Sequence, residues 1–146
     1  LNVVSNSEPI EIKNLPSNLK LNIQPWQRFY EFCEEVGDND IYLDLRDNDL
    51  ENRHCLPIKL FYYMAAGRPV IYTDLKAIKK GVPDCEQFGF FHSEKDLEGI
   101  SNLVLKYIDD DLLYQTHCRN SLNLSKEKYN WELIEDDLIK FVRDVV

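Results

Sequence analysis

The sequence lacks a glycine-rich phosphate loop. With five glycines in 146 residues, it contains neither a G-x-G-x-x-G fingerprint nor a Walker loop, and no G-x-S-x-G occurs. Classical dinucleotide, kinase and hydrolase readings therefore have no positive support. The four cysteines, Cys33, Cys55, Cys85 and Cys118, are far apart and include no C-x-x-C pair, so neither a zinc site nor a redox motif is signalled and free thiols are expected. The neighbours His54-Cys55 and His117-Cys118 offer no nucleophile arrangement. No apolar run approaches the length of a membrane span, and no basic-then-apolar leader opens the chain, so a reducing, cytoplasmic setting is expected. A basic excess is missing too. The net charge of -9 argues against a nucleic-acid surface, which needs a basic stripe. A nucleoside diphosphate stays compatible with that charge, because backbone amides at a helix end hold phosphate without a positive protein. No internal repeat, low-complexity segment or acidic pair after the first strand is present, and the last of these disfavours a receiver-like signalling domain.

What the chain does have is 44% hydrophobic and 12% aromatic residues, the composition of a globular protein. Its length suits one domain spanning residues 1–146, a size that buries roughly 70% of the unfolded surface. Short apolar runs at residues 1–4 and 19–23, separated by turn residues at 14–18, predict two strands. Trp26, Phe29, Tyr30, Cys33 and Val36 recur at helical spacing up to Gly37. Residues 41–45 read as a buried strand that empties into the polar loop 46–55, and loops at the carboxyl ends of strands are where open α/β sheets bind ligands. Residues 76–87, broken by Gly81 and Pro83, read as irregular. Phe90-Phe91 predicts a last short edge strand, and Ser93 an N-cap before a helix whose stripe runs from Leu97 to Ile108. Residues 109–125 predict another helix, and Trp131, Ile134, Leu138, Phe141, Val142 and Val145 a terminal one. Alternation of strand and helix that gives way to helices predicts an α/β fold, a Rossmann-like doubly wound parallel sheet with C-terminal helices.

Residues 56–73 are the most legible stretch. Pro57 suits a first helical position and Gly67 the left-handed residue past a helix end, Pro69 blocks continuation, and Val70, Ile71, Tyr72 and Thr73 form a buried strand. Pro57, Lys59, Tyr63, Met64, Ala65, Gly67, Pro69, Val70 and Ile71 also match the donor-binding signature of GT-B glycosyltransferases of group 1 or family 4 type. Thr73-Asp74 before Gly81-Val82, Gly89-Phe90, and Tyr129-Asn130-Trp131-Glu132 look like later landmarks of that family. The resemblance is good after Pro57 and weak before Ile41. It implies the C-terminal, donor-binding domain of a two-domain enzyme that moves a sugar from a nucleoside diphosphate sugar to a glycan or glycolipid acceptor. In that reading the N-terminal acceptor domain and the first strand and helix of this domain are missing. The piece is inactive alone, no metal or other cofactor is expected, and any membrane contact is peripheral and belongs to the absent half.

The residues that could grip a donor follow from these two lines of argument. The first amides of the helix at Pro57, those of Ile58, Lys59 and Leu60, suit a diphosphate, and the Lys59 side chain can add a charge-assisted contact or simply cap a solvated turn. The family's ribose-gripping acidic residue falls at Tyr62. A glutamate there would supply hydrogen bonds worth about 1.5–3 kcal/mol, so its replacement implies binding weaker by roughly ten- to a hundredfold. Tyr62 can instead stack on the base or ribose, or fill a core. The family's other acidic residue falls at His54, which is either a sugar or phosphate contact or a surface residue. Arg46, first after its strand, is a candidate phosphate contact, and Thr73 and Asp74 can line the crevice. Asp47-Asn48-Asp49 is a weak metal signal, since such pairs are common in solvated loops. No catalytic residue is assigned. With both acidic positions replaced, the alternative is a non-catalytic GT-B-like binding or assembly module.

Overall fold

The computed structural model describes residues 2–4, 17, 18, 20, 22–24 and 28–145. The chain divides into two compact units, Leu1–Gly37 and Asp38–Val146.

In the first unit, β1 (Asn2–Val4) pairs in parallel with β2 (Asn22–Gln24), and α1 (Phe29–Gly37) follows. The second strand is thus centred later than the apolar run at 19–23, and the helix start expected at Trp26 lies outside the described residues. The Arg28 amide donates to the Glu31 carboxylate at 3.1 Å, which satisfies one of the amides that α1 cannot bond internally.

The second unit is built on a parallel sheet of order β3-β4-β5, from β3 (Tyr42–Asp44), β4 (Val70–Thr73) and β5 (Gly89–His92). Asp44 lies opposite Tyr72, and Thr73 opposite His92. All four residues of β4 are buried, which is why its sequence is a continuous β-branched and aromatic run with no polar alternation. The helices are α2 (Lys59–Ala65), α3 (Lys76–Gly81), α4 (Leu97–Asp109), α5 (Asp111–Glu127) and α6 (Trp131–Val145). Leu60 and Met64 of α2, Leu75, Ile78 and Val82 around α3, and Phe88 before β5 complete a core centred on β4.

Four helices differ from the sequence reading, α5 by spanning Asp111–Glu127 instead of 109–125. Residues 76–81 are helical, because Leu75, Ile78 and Val82 drop into the core at helical spacing and Val82 closes the turn by donating to the Ile78 carbonyl at 2.8 Å. The segment is too short for a periodicity to stand out. The N-cap of α4 is Asp96, whose carboxylate accepts from the Gly99 amide at 3.0 Å, and not Ser93. Asp110 does the same for α5 by accepting from Leu113 at 2.9 Å. The helix expected to open at Pro57 opens at Lys59, with Pro57 supplying the carbonyl that receives the Leu60 amide at 3.1 Å.

The end of α2 is as the sequence predicts. Gly67 sits at φ 66°, its amide donates to the Met64 carbonyl at 2.9 Å, and Arg68 donates to the Tyr63 carbonyl at 3.4 Å. These two bonds form a Schellman cap. From α5, the buried Ser121 hydroxyl donates to the Arg68 carbonyl at 3.1 Å, and Leu122 stands against Gly67.

Candidate functional site

The carboxyl ends of the three parallel strands bring Asp44, Arg46, Thr73 and His92 to one edge of the sheet. Thr73 is fully buried. Its hydroxyl donates to the Arg46 carbonyl at 2.8 Å and accepts from the Arg46 amide at 2.8 Å, so it fixes the backbone of the residue that leaves β3. Arg46 in turn spends its Nε on Asp44 Oδ1 at 2.9 Å. The other carboxylate oxygen, Oδ2, is buried with no hydrogen-bond partner among the described residues. An orphan acceptor of this kind is costly in a dry site. Asp44 also acts on Tyr63, whose hydroxyl is pushed up to about 12 by burial first and by this carboxylate second. Tyr63 stacks on Tyr42 with ring centres 4.2 Å apart, which fixes α2 against β3. At the end of β5, His92 Nε2 lies 2.8 Å from the Asp96 carboxylate.

The remaining sequence candidates spread over two further places. Ile58 and Lys59 occupy the first turn of α2, both exposed, and their amides have no acceptor among the described residues. The Leu60 amide, expected to be free, is taken by Pro57. Tyr62 is half-buried on the same helix. His54 closes a single 3-10 turn, Asn52–His54, and lines a cleft of about 240 Å³ with Arg53, Lys76, Ala77 and Lys80. Arg46 and Thr73 thus stand together at the carboxyl ends of their strands, whereas His54 stands with Arg53, Lys76, Ala77 and Lys80. Asp44, Arg53, Lys76 and Lys80 are not among the sequence candidates. The signal for the last two was their i,i+4 spacing, which places both on one helix face.

Two side chains of the polar loop are used locally. Asp49 Oδ1 accepts from the Asn52 amide at 2.8 Å, and Asn48 Oδ1 accepts from Arg53 Nε at 2.7 Å, so these two side chains shape the turn that presents His54. Among the described residues no group of three His, Cys, Asp or Glu side chains is placed to hold a metal ion. Cys85 is buried, and burial pushes its thiol up to about 11; Cys33 and Cys55 are exposed. No described helix is long and apolar enough to cross a membrane.

Neither a family model nor a curated protein matches this sequence. Among solved structures, a sucrose-phosphate synthase from Thermosynechococcus elongatus is similar in fold, with a TM-score of 0.69 at 15% sequence identity over 86% of this chain. The chain spans 30% of that synthase's length. The likeness, with the parallel sheet and its helices, shows a Rossmann-like α/β fold of the GT-B kind.

Proposed function

We propose that the chain is the donor-binding part of a glycosyltransferase that moves a sugar, of hexosyl type, from a nucleoside diphosphate sugar to a glycan or glycolipid acceptor. The observation that carries this reading is the seam of Asp44, Arg46 and Thr73 at the carboxyl ends of β3 and β4, on a fold shared with a sucrose-phosphate synthase. Ligands of open α/β sheets bind at that edge. The resemblance of residues 57–71 to a donor signature supports the same place, because those residues form α2, its cap and β4.

In this reading Arg46, held rigidly through both its backbone and its Nε, offers its remaining guanidinium donors to the diphosphate. The Ile58 and Lys59 amides add neutral donors, and the free oxygen of Asp44 accepts from a sugar or ribose hydroxyl. Stabilising the departing diphosphate with fixed donors is electrostatic catalysis and requires no metal. The acceptor-binding domain belongs to the rest of a larger enzyme, so this piece alone does not turn over. Such an enzyme suits polysaccharide synthesis at the cytoplasmic side of a membrane.

A second reading is a GT-B-like module that binds or assembles without catalysis. It is favoured by Tyr62 and His54, which stand where the resembling family carries acidic residues. Amide NMR titration with UDP, GDP and their sugar conjugates separates the two. Saturable shifts at Arg46 and from Ile58 to Tyr62 are expected for a donor site and would identify the base. Silence throughout, persisting when the missing N-terminal segments are restored, would leave the non-catalytic module.

A further inference from the structure

The cleft at His54 has a charge that the chain as a whole does not. Four of its five lining residues, Arg53, His54, Lys76 and Lys80, are basic side chains, and none is a carboxylate, in a protein of net charge -9. Arg53 and His54 come from the 3-10 turn and the lysines from α3, so two separate elements converge their cations on one volume of about 240 Å³. Two of the carboxylates on the flanking segments are engaged elsewhere. Asp74 pairs with Lys79 at 2.6 Å, and Asp49 caps the Asn52 amide at 2.8 Å. Lys79 itself lies over the Phe91 ring, away from the group.

This arrangement costs the apo fold. Lys76 and Lys80 form a like-charge i,i+4 pair, which destabilises a helix, and Lys76 stands at the helix start, where the dipole disfavours a cation. An anion in the cleft removes both penalties. Arg53 is held in place by Asn48, an amide that orients the guanidinium without neutralising it.

We propose that this cleft is a binding site for a phosphate-bearing ligand, held by Arg53, His54, Lys76 and Lys80. The proposal does not depend on the donor reading. The phosphate belongs either to a nucleoside diphosphate lying across the sheet edge or to a phosphorylated sugar, and both share the chemistry of a compact di- or trianion that suits a fork of guanidinium and ammonium donors.

The test is an amide NMR titration of the protein with inorganic pyrophosphate at constant ionic strength. Saturable shifts at His54 and across Lys76–Gly81 are expected. Lys76→Met and Lys80→Met, which alter exposed side chains and leave the core intact, are each expected to weaken binding about tenfold, as for loss of a charge-assisted contact. Lys126→Met, which removes the same charge from α5, is expected to leave affinity within twofold. Competition then assigns the source: displacement by UDP with shifts reaching Arg46 makes the phosphate the donor's, and displacement by glucose 6-phosphate alone makes it that of a phosphorylated sugar. Absence of saturation with pyrophosphate overturns the site, as does equal weakening by Lys126→Met. UDP shifts at Arg46 with no response of His54 or α3 to pyrophosphate or glucose 6-phosphate would remove this site and leave the donor reading standing.

Discussion

Single residues decide how the two halves of the α2–β4 corner meet. A side chain at Gly67 would be forced into the left-handed region, which costs a non-glycine residue about 1–2 kcal/mol. The nearest atom to the added methyl, Leu122 Cβ at 3.4 Å, is in ordinary contact, so the penalty is conformational rather than steric. Gly67→Ala is therefore expected to lower unfolding free energy in urea by about that amount, and a change near zero would mean the cap is not what terminates α2. Gly89 is the opposite case. A methyl there would lie 2.1 Å from the Val70 carbonyl oxygen and 2.5 Å from the Tyr72 hydroxyl, so β5 cannot keep its pairing. Loss of soluble folded protein is expected for Gly89→Ala, measured by the amide spectrum. Tyr72→Phe is milder. It removes the 2.8 Å hydrogen bond to the buried Cys85 carbonyl, which keeps the Phe88 amide at 3.3 Å, for a cost of about 0.5–1.5 kcal/mol in the same urea measurement.

His117 gives the residue scale a pH dependence. Its ring is buried 2.8 Å from the Tyr107 hydroxyl, and burial, with Lys106 adding to it, holds its pKa below the ordinary 6.5. The unfolded chain thus takes up this proton first as pH falls. The contribution is complete above 6.5 and is lost as pH drops from there through the folded value. Half-buried Asp84 and exposed Asp96, whose pKa values are lowered by hydrogen bonds from Lys128 and Gly99 respectively, lose their contributions only below the ordinary carboxylate range. Urea midpoints followed downward from neutrality are expected to fall first in the histidine range, and His117→Gln to flatten that part of the curve. An unchanged slope in the variant would assign the titration to another group.

At the scale of elements, legibility tracked how much local signal each one carries. The buried run of β4, the long stripe of α4 and the glycine stop of α2 were readable because composition, period and turn chemistry agree there. The short α3 was hidden by Gly81 and Pro83, and only tertiary burial of Leu75, Ile78 and Val82 makes it a helix. The same limit applies to the site. Arg46 and Thr73 can be picked out as residues ending strands, whereas Lys76 and Lys80 lie in a segment that reads as irregular and reach the turn at His54 only through α3. Helix α6 illustrates a pattern without a partner. Its apolar stripe is plain in the sequence, yet every described residue of α6 is exposed, with Trp131 at 59% and Phe141 at 64%. A fifteen-residue helix held mainly by its own hydrogen bonds is marginal in water. Amides of α6 are expected to exchange with solvent far faster than those of α5, read by hydrogen exchange, and comparable protection would show that its stripe is covered in solution.

At the scale of the whole molecule, the division into two units has a direct consequence for stability. The second unit contains the three-stranded sheet, the core centred on β4 and every residue of the proposed sites. A chain beginning at Asp38 is accordingly expected to fold and to keep the pyrophosphate and nucleotide responses of the full protein. Failure of that chain to fold would show that the first unit supplies more than its own contacts. The hydrogen bonds from Ser121 to the Met64 and Arg68 carbonyls, and the packing of Leu122 at Gly67, bear on how such a unit is made. The turn at Gly67 leaves the ribosome well before its supports, which lie more than fifty residues downstream. Since domains fold as units during synthesis, the nascent chain is expected to hold residues 57–73 unsettled until α5 has emerged, so a stall before that point would expose the most apolar strand of the protein to chaperones.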